Sequence, residues 1–215
     1  MDAPPPRTGR PPRLSREAVV DAAEAIVGRE GIEALTMRRV ADELSSSPMA
    51  LYRHIRDKDE LLVLLLDRLA SDVPRPSLPA EPRERLRALF RSLYDGLDAH
   101  PWVVGVLARG AVVAPSVLGV VDDILGALLE AGLDARGAAA AYHAAWRYTV
   151  GVLTVRHAGA AGARRPPQLE AAMAAVDPGR LPHLAALAGD LAAERDRDGY
   201  DTGLAALLDG LLARG

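Results

Sequence analysis

The sequence predicts an all-α protein. Ala and Leu dominate a chain that is 49% apolar yet has a single Phe, a composition that favours helices over sheets. Apolar residues recur at i, i+3, i+4 and i+7 in segment after segment, and no convincing strand or internal repeat interrupts them. At 215 residues the chain can form one large domain or two small ones, with a sizeable core. There is no cysteine, so disulfides and thiolate metal sites are not available, which fits a reducing cytoplasm. The first apolar run follows Arg16 and is amphipathic, so no signal peptide is expected. The densest apolar run, 61–66, is too short to span a bilayer, and a soluble protein with no membrane association follows.

Each element has a local cause. Residues 1–13, MDAPPPRTGRPPR, are rich in proline and arginine and lack an apolar stripe, so a disordered basic arm is expected. Such an arm either adds phosphate or minor-groove contacts on DNA or is a solvated tail. Ser15 caps a first helix that reaches Arg29 and ends at Gly31, with Ala18, Val19, Ala22, Ala23, Ile26 and Val27 as its buried stripe. Thr36 caps a second helix with Met37, Val40, Ala41 and Leu44 on one face. Ser45-Ser46-Ser47 interrupts, and Ser47-Pro48 restarts the chain into a two-turn helix ending near His54, because proline lacks only a donor that would be unpaired at that position. Asp57 followed by Glu60 opens a fourth helix in the manner of a capping box. Its run 61–66 is apolar on nearly every side and must be buried on more than one face.

Pro74, Pro76, Pro79 and Pro82 mark a connection, and the domain boundary is expected there. Leu86, Leu89, Phe90, Leu93, Tyr94 and Leu97 then repeat at helical spacing. His100-Pro101 breaks that helix, and a short one starts at Trp102. A helix over 115–131 stops at Gly132. Another spans 134–157, alanine-rich at first, and 159–167 reads as a loop. Helices over 180–193 and 202–214 close the chain. The last carries the stripe Leu204, Leu207, Leu208, Leu211 and Leu212, which either closes its own domain or packs on a second copy.

Two short helices joined by a three-to-four-residue turn form a helix-turn-helix, whose second helix enters the DNA major groove. Ordinary bundles contain the same shape, and geometry alone leaves the two readings level. The residues go further. Gly31 after the first helix, the L-T-x-R of Leu35, Thr36 and Arg38, the A-L-Y-x-H of Ala50, Leu51, Tyr52 and His54, and the D-K-x-E-L that starts at Asp57 all stand in one register. Over 14–69 the chain resembles the DNA-binding domain of TetR-family (tetracycline-repressor-like) transcriptional regulators.

The resemblance implies a domain organisation: a basic arm over 1–13, a helix-turn-helix DNA-binding domain with its connecting helix four over 14–73, and an effector-binding and dimerisation domain over 80–215. It implies a homodimer on a near-palindromic double-stranded DNA operator, repression rather than activation, and release by a small-molecule effector of the body that shifts helix four. No cofactor is expected. A two-fold dimer fits the way paired recognition helices read half-sites about a helical turn, or a multiple, apart. Dimerisation would use the last helix and the 134–157 helix. Tyr52, His54, Lys58 and the Thr36 hydroxyl are expected to hold phosphates. Arg38, Ser47, Pro48, Met49, Ala50 and Arg53 face the groove; arginine suits guanine, and Ala50 can meet a thymine methyl.

The formal charge is −3 overall, yet 1–16 carries net +3 and 36–58 carries net +2, so the basic charge sits where DNA would lie. The body's aromatic and interleaved polar residues, Phe90, Tyr94, His100, Trp102, Arg109, His143, Trp146 and Arg147, are the candidate effector site, with plain core packing as the competing role for each. Tetracycline itself is not expected. Family members that bind it use an asparagine, and this chain has none.

An enzyme is not expected. The five histidines, His54, His100, His143, His157 and His183, have no metal-ligand spacing, and there is no nucleophile elbow or phosphate loop. The competing binding-protein reading is a helical ligand-binding or adaptor protein of the same fold that has lost specific DNA binding. The turn keeps that reading open. Where the family mostly has glycine and then an apolar residue, this chain has Ser45 and Ser46, and a left-handed serine is disfavoured.

Overall fold

The computed structural model describes residues 14–72, 77–108, 114–160, 171–173, 175–195 and 198–213. The expected arm 1–13, Pro74, Pro76, Arg109 and most of the 159–167 loop lie outside them. The described residues are helical with no strand. Two compact units emerge: Met1–Asp72 with Gly110–Val117, and Val73–Arg109 with Leu118–Gly215. We call them the head and the body.

The head contains α1 (Arg16–Glu30), α2 (Met37–Glu43), α3 (Pro48–Leu51) and α4 (Lys58–Asp72), with a 3-10 turn at Ile32–Ala34 that the sequence does not announce. Three serine or threonine caps set the starts. Ser15 accepts from the Ala18 N–H, Thr36 from that of Arg39 and Ser47 from that of Ala50. The core joins Val19, Ala23 and Ile26 of α1 to Val40 and Ala41 of α2, and brings in Leu51, Ile55, Leu61 and Leu65. In α4, Leu61, Leu62, Leu65 and Leu66 are buried and Val63 and Leu64 half-buried, as a helix apolar on nearly every side requires. The segment Pro115–Val117 belongs to this unit too: the Ser116 N–H donates to Asp67 Oδ1 at 2.7 Å, and the Ser116 and Ser71 hydroxyls lie 3.0 Å apart.

Two departures from the sequence reading have clear causes. The recognition helix is one α-turn of four residues rather than two. Beyond Leu51 the bonds tighten to the 3-10 pattern, Arg53 N–H to Ala50 O and His54 N–H to Leu51 O. The helix cannot continue because Asp57 caps α4, accepting from the Glu60 N–H at 2.8 Å, while Glu60 reaches back to the Arg56 N–H at 2.7 Å. The second departure shortens the helix read from Pro115: Pro115–Val117 is a 3-10 turn, and α7 starts at Leu118.

The body holds α5 (Pro82–Asp98), α6 (Pro101–Ala108), α7 (Leu118–Glu130), α8 (Ala135–Ala160), α9 (Pro182–Arg195) and α10 (Tyr200–Leu212). Helix α8 runs three residues past the expected stop at His157. Helix α5 packs on α7, α8 and α10, and α8 also packs on α6, α7 and α10. Their shared core contains Leu86, Phe90, Tyr94, Ile124, Leu128, Ala141, Ala145, Leu153, Tyr200, Leu204 and Leu208.

Polar groups run through that core. Tyr200 stacks on Tyr94 with ring centroids 4.0 Å apart and lies 5.7 Å from Tyr148. Its hydroxyl donates to Phe90 O at 3.1 Å and pairs with Thr149 Oγ1 at 2.9 Å. The Tyr148 hydroxyl donates to Tyr200 O at 3.2 Å. Arg156 donates to the Tyr94 hydroxyl at 2.9 Å. Burial pushes the Tyr200 phenol well above its ordinary range. Every one of these buried hydroxyls is satisfied, as burial demands.

The same helix-ending motif occurs twice with different chemistry. After α7, Gly132 is left-handed (φ 101°), its N–H bonds to Leu129 O, and the Leu133 N–H bonds to Leu128 O while Leu133 is buried. After α2, Ser45 is left-handed (φ 48°), its N–H bonds to Asp42 O, and the Ser46 N–H bonds to Ala41 O. Both are Schellman turns. The second keeps the hydrogen bonds with a residue that disfavours the backbone conformation. Ser45→Gly is expected to stabilise the head by about 1 kcal/mol and Gly132→Ser to cost the body a similar amount. Urea unfolding of the two variants checks both, and no gain from Ser45→Gly would refute the strain.

Gly203 matters for a different reason. A Cβ there would lie 2.0 Å from the Tyr148 hydroxyl oxygen and 2.8 Å from its ring carbon. Gly203→Ala is expected to destabilise the body by roughly 2 kcal/mol, in the range of core overpacking. In a Tyr148→Ala background the same change costs little. A double-mutant cycle on thermal unfolding reads the difference.

Candidate nucleic-acid interface

All ten residues expected at DNA lie in the head. Thr36, Arg38, Ser47, Pro48, Met49, Tyr52, Arg53 and Lys58 are exposed, while Ala50 and His54 are half-buried. Helix α3 is pinned by Leu51, and the turn beyond it by Ile55, both fully buried. The side chains on either side of Leu51 are therefore presented outward on a fixed base. Met49 is 73% exposed and Tyr52 48%. The Thr36 oxygen accepts from Arg39 N–H at 3.1 Å, which leaves its hydroxyl proton available to donate outward.

The head's cations divide into two sets. Arg39 pairs with Glu30 at 2.6 Å and Glu43 at 2.9 Å, and Arg29 donates to both Glu43 oxygens at 3.0 Å. Arg16 and Arg56 share Glu60, and Arg68 spans Asp21 and Glu24. Arg39 holds the carboxyls of Glu30 and Glu43 below their usual range through its hydrogen bonds. The Arg56 N–H does the same, first of several causes, for Glu60. Arg38, Arg53 and Lys58 have no such partner among the described residues and point their charge at solvent. Three exposed cations without internal anions, beside hydroxyl donors and an apolar side chain, form a surface suited to phosphates and base edges.

Seven of the eight body residues expected at an effector site are described, and they differ widely in exposure. Phe90 and Tyr94 are fully buried in the core around Tyr200. His100 is half-buried with Nδ1 3.2 Å from Gly96 O. Trp102 and Trp146 are half-buried, His143 and Arg147 on α8 are exposed, and Arg109 is not among the described residues. An open cavity of about 420 Å³ lies elsewhere on the body, lined by Leu78, Pro79, Ala80, Arg85, Asp122, Asp123, Gly126 and Glu130. Arg85 spans one side of it, donating to Pro79 O and Ala80 O and pairing with Glu130 at 2.9 Å.

Sequence reasoning missed Tyr148 as a partner of Tyr200, and with it Thr149 and Arg156. No local pattern joins α8 to a tyrosine about fifty residues downstream. Two glycine-flanked aromatics, Tyr200 before Gly203 and Tyr148 before Gly151, were the only hint.

Comparison with known proteins agrees with the head's layout and covers nearly the whole chain. Residues 19–65 match the model of bacterial regulatory proteins of the tetR family, and residues 75–214 match the tetracyclin repressor-like C-terminal domain. The HTH-type transcriptional repressor DrrR1 of Streptomyces coeruleorubidus is 32% identical over 220 residues, 96% of this chain and 80% of its own length. ActR of Streptomyces coelicolor, solved in complex with (S)-DNPA, superposes with TM-score 0.78 at 26% identity over 96% of this chain and all of its own. BioQ, solved with its double-stranded DNA operator, gives TM-score 0.65 at 26% identity over 94% of this chain and 99% of its own. The protein is therefore a member of the TetR family of bacterial transcriptional regulators, with a helix-turn-helix head and a helical body.

Proposed function

We propose that the chain is a homodimeric repressor that binds a near-palindromic operator through α2 and α3 and leaves it when a small molecule binds the body. The observation that carries the DNA reading is the division of the head's cations. Among the described residues, five arginines of the head are paired internally, while Arg38, Arg53 and Lys58 of the helix-turn-helix are not. The turn supports it as well, since Ser45 and Ser46 keep both hydrogen bonds of the helix-ending motif. That geometry supports the DNA-binding reading over an adaptor that has lost it. The relatives point the same way: DrrR1 is described as a repressor, BioQ was solved on its operator, and ActR was solved with a small molecule.

Phosphate contacts are assigned to Lys58, Tyr52, His54 and the Thr36 hydroxyl, and base contacts to Arg38, Arg53 and the start of α3. For the effector, the half-buried His100, Trp102 and Trp146 are body residues with both polar and apolar surface to offer. Release requires the ligand to bind the DNA-competent and DNA-incompetent states with unequal affinity.

The dimer is assigned to α8 and α10, which pack side by side in one protomer. The outer row of α8 holds Ala140, Gly151 and Val155, the last 76% exposed, and that of α10 holds Thr202, Ala206 and Gly210. Small residues on both rows let a second pair of helices approach closely. Val155→Glu together with Ala206→Glu is expected to convert the protein to a folded monomer, checked by sedimentation equilibrium and circular dichroism. A dimer of unchanged affinity would move the interface elsewhere.

Fluorescence anisotropy on DNA flanking the gene, across several salt concentrations, tests the DNA reading. Lys58→Ala should weaken binding to all sequences and lower the salt slope by roughly two for the dimer, one phosphate contact per protomer. Arg38→Ala should lose about 1–3 kcal/mol per protomer on the operator and little on nonspecific DNA. Arg29→Gln, at an internally paired position, should leave the salt slope unchanged. A folded dimer without a specific, salt-sensitive complex would favour the adaptor reading.

A further inference from the structure

Among the described residues of the head, Met49 is the most exposed large apolar side chain, at 73%. It is the second residue of α3, between Pro48 and a half-buried Ala50, with the fully buried Leu51 two residues on. Arg53, exposed and unpaired among the described residues, follows four residues later, and Arg38 of α2 is likewise exposed and unpaired among them. A thioether is only a weak hydrogen-bond acceptor, so Met49 offers a base mainly apolar contact. In the major groove, base edges present donors and acceptors, and thymine alone adds an apolar group, its 5-methyl. Ala50, the residue whose size and position in the sequence suit a thymine methyl, is turned partly inward. Met49 takes the outward place, and its unbranched, flexible side chain can follow the methyl's position.

We propose that Met49 reads the 5-methyl group of a thymine, so that each operator half-site carries a T·A pair opposite the start of α3. The inference rests on the DNA-binding reading above. The occupant it names is DNA rather than a protein partner, because Met49 shares its helix-turn-helix with the exposed Arg38, Arg53 and Lys58, which suit a phosphate-bearing surface.

The test uses the full chain. Duplexes are first selected from a random library, and each thymine of the selected half-site is then replaced, symmetrically, by uracil, which removes only the methyl group. One replacement should weaken wild-type binding about fourfold per half-site, the effect of losing one buried carbon. In Met49→Ala the same replacement should leave the affinity unchanged, while that variant still binds with wild-type salt dependence. Uracil tolerance at every position overturns the proposal, as does a methyl effect of equal size in Met49→Ala. Failure to enrich any sequence overturns the DNA reading beneath it, an outcome distinct from selection followed by uracil tolerance.

Discussion

A helix of four residues has no stability of its own, because the conformational cost of starting a helix is recovered only over many turns. Helix α3 exists because its surroundings hold both of its ends. Ser47 satisfies an N–H at its start, Leu51 and Ile55 are fully buried beneath it, and the Asp57–Glu60 cap takes over the chain three residues after the tightened turn. Shortness then becomes useful. Of its four residues, Pro48 and Met49 face solvent, Ala50 is half-buried and Leu51 is fully buried. The outward set is small, rigid and chemically mixed: a methionine, a tyrosine, an arginine and the capping serine.

The left-handed Ser45 lies immediately upstream of that helix. Its backbone closes α2 with the same two hydrogen bonds that glycine closes at the end of α7, so geometry is preserved while the conformational preference is not. Stability and site geometry therefore come apart at this turn. The head tolerates a strained residue because the paired donors and the buried residues on either side leave the chain no better path.

The body is organised differently, around satisfied polar groups inside an apolar core. Tyr200 bonds to α5 through Phe90 O and to α8 through Thr149, and its own carbonyl receives the Tyr148 hydroxyl. These bonds specify one seating of α10 against α5 and α8, where leucine stripes alone would tolerate sliding by a turn. Gly203 is the space that Tyr148 requires. The network joins α8 and α10, the two helices proposed above for a dimer interface, to the core of the body.

By itself the sequence determined the helical class, the caps at Ser15, Thr36, Ser47 and Asp57 and the helix-turn-helix register, whereas the left-handed backbone of Ser45 came from the structure. These are local: each depends on side chains reaching backbone groups within about four residues, or on apolar spacing along one helix. It also located the basic charge. Tertiary structure alone decided which of those charges are free. Arg38 and Arg39 are neighbours in sequence, yet one points to solvent and the other into the carboxylates of Glu30 and Glu43, contributed by α1 and by the far end of α2. The same holds in the body, where Phe90 and Tyr94 turn into the core while His143 and Arg147 turn out. Which face of a helix meets which neighbour is set by contacts that range from nine positions apart, as for Arg39 and Glu30, to more than a hundred, as for Tyr200 and Phe90, and apolar spacing along one helix does not contain that information.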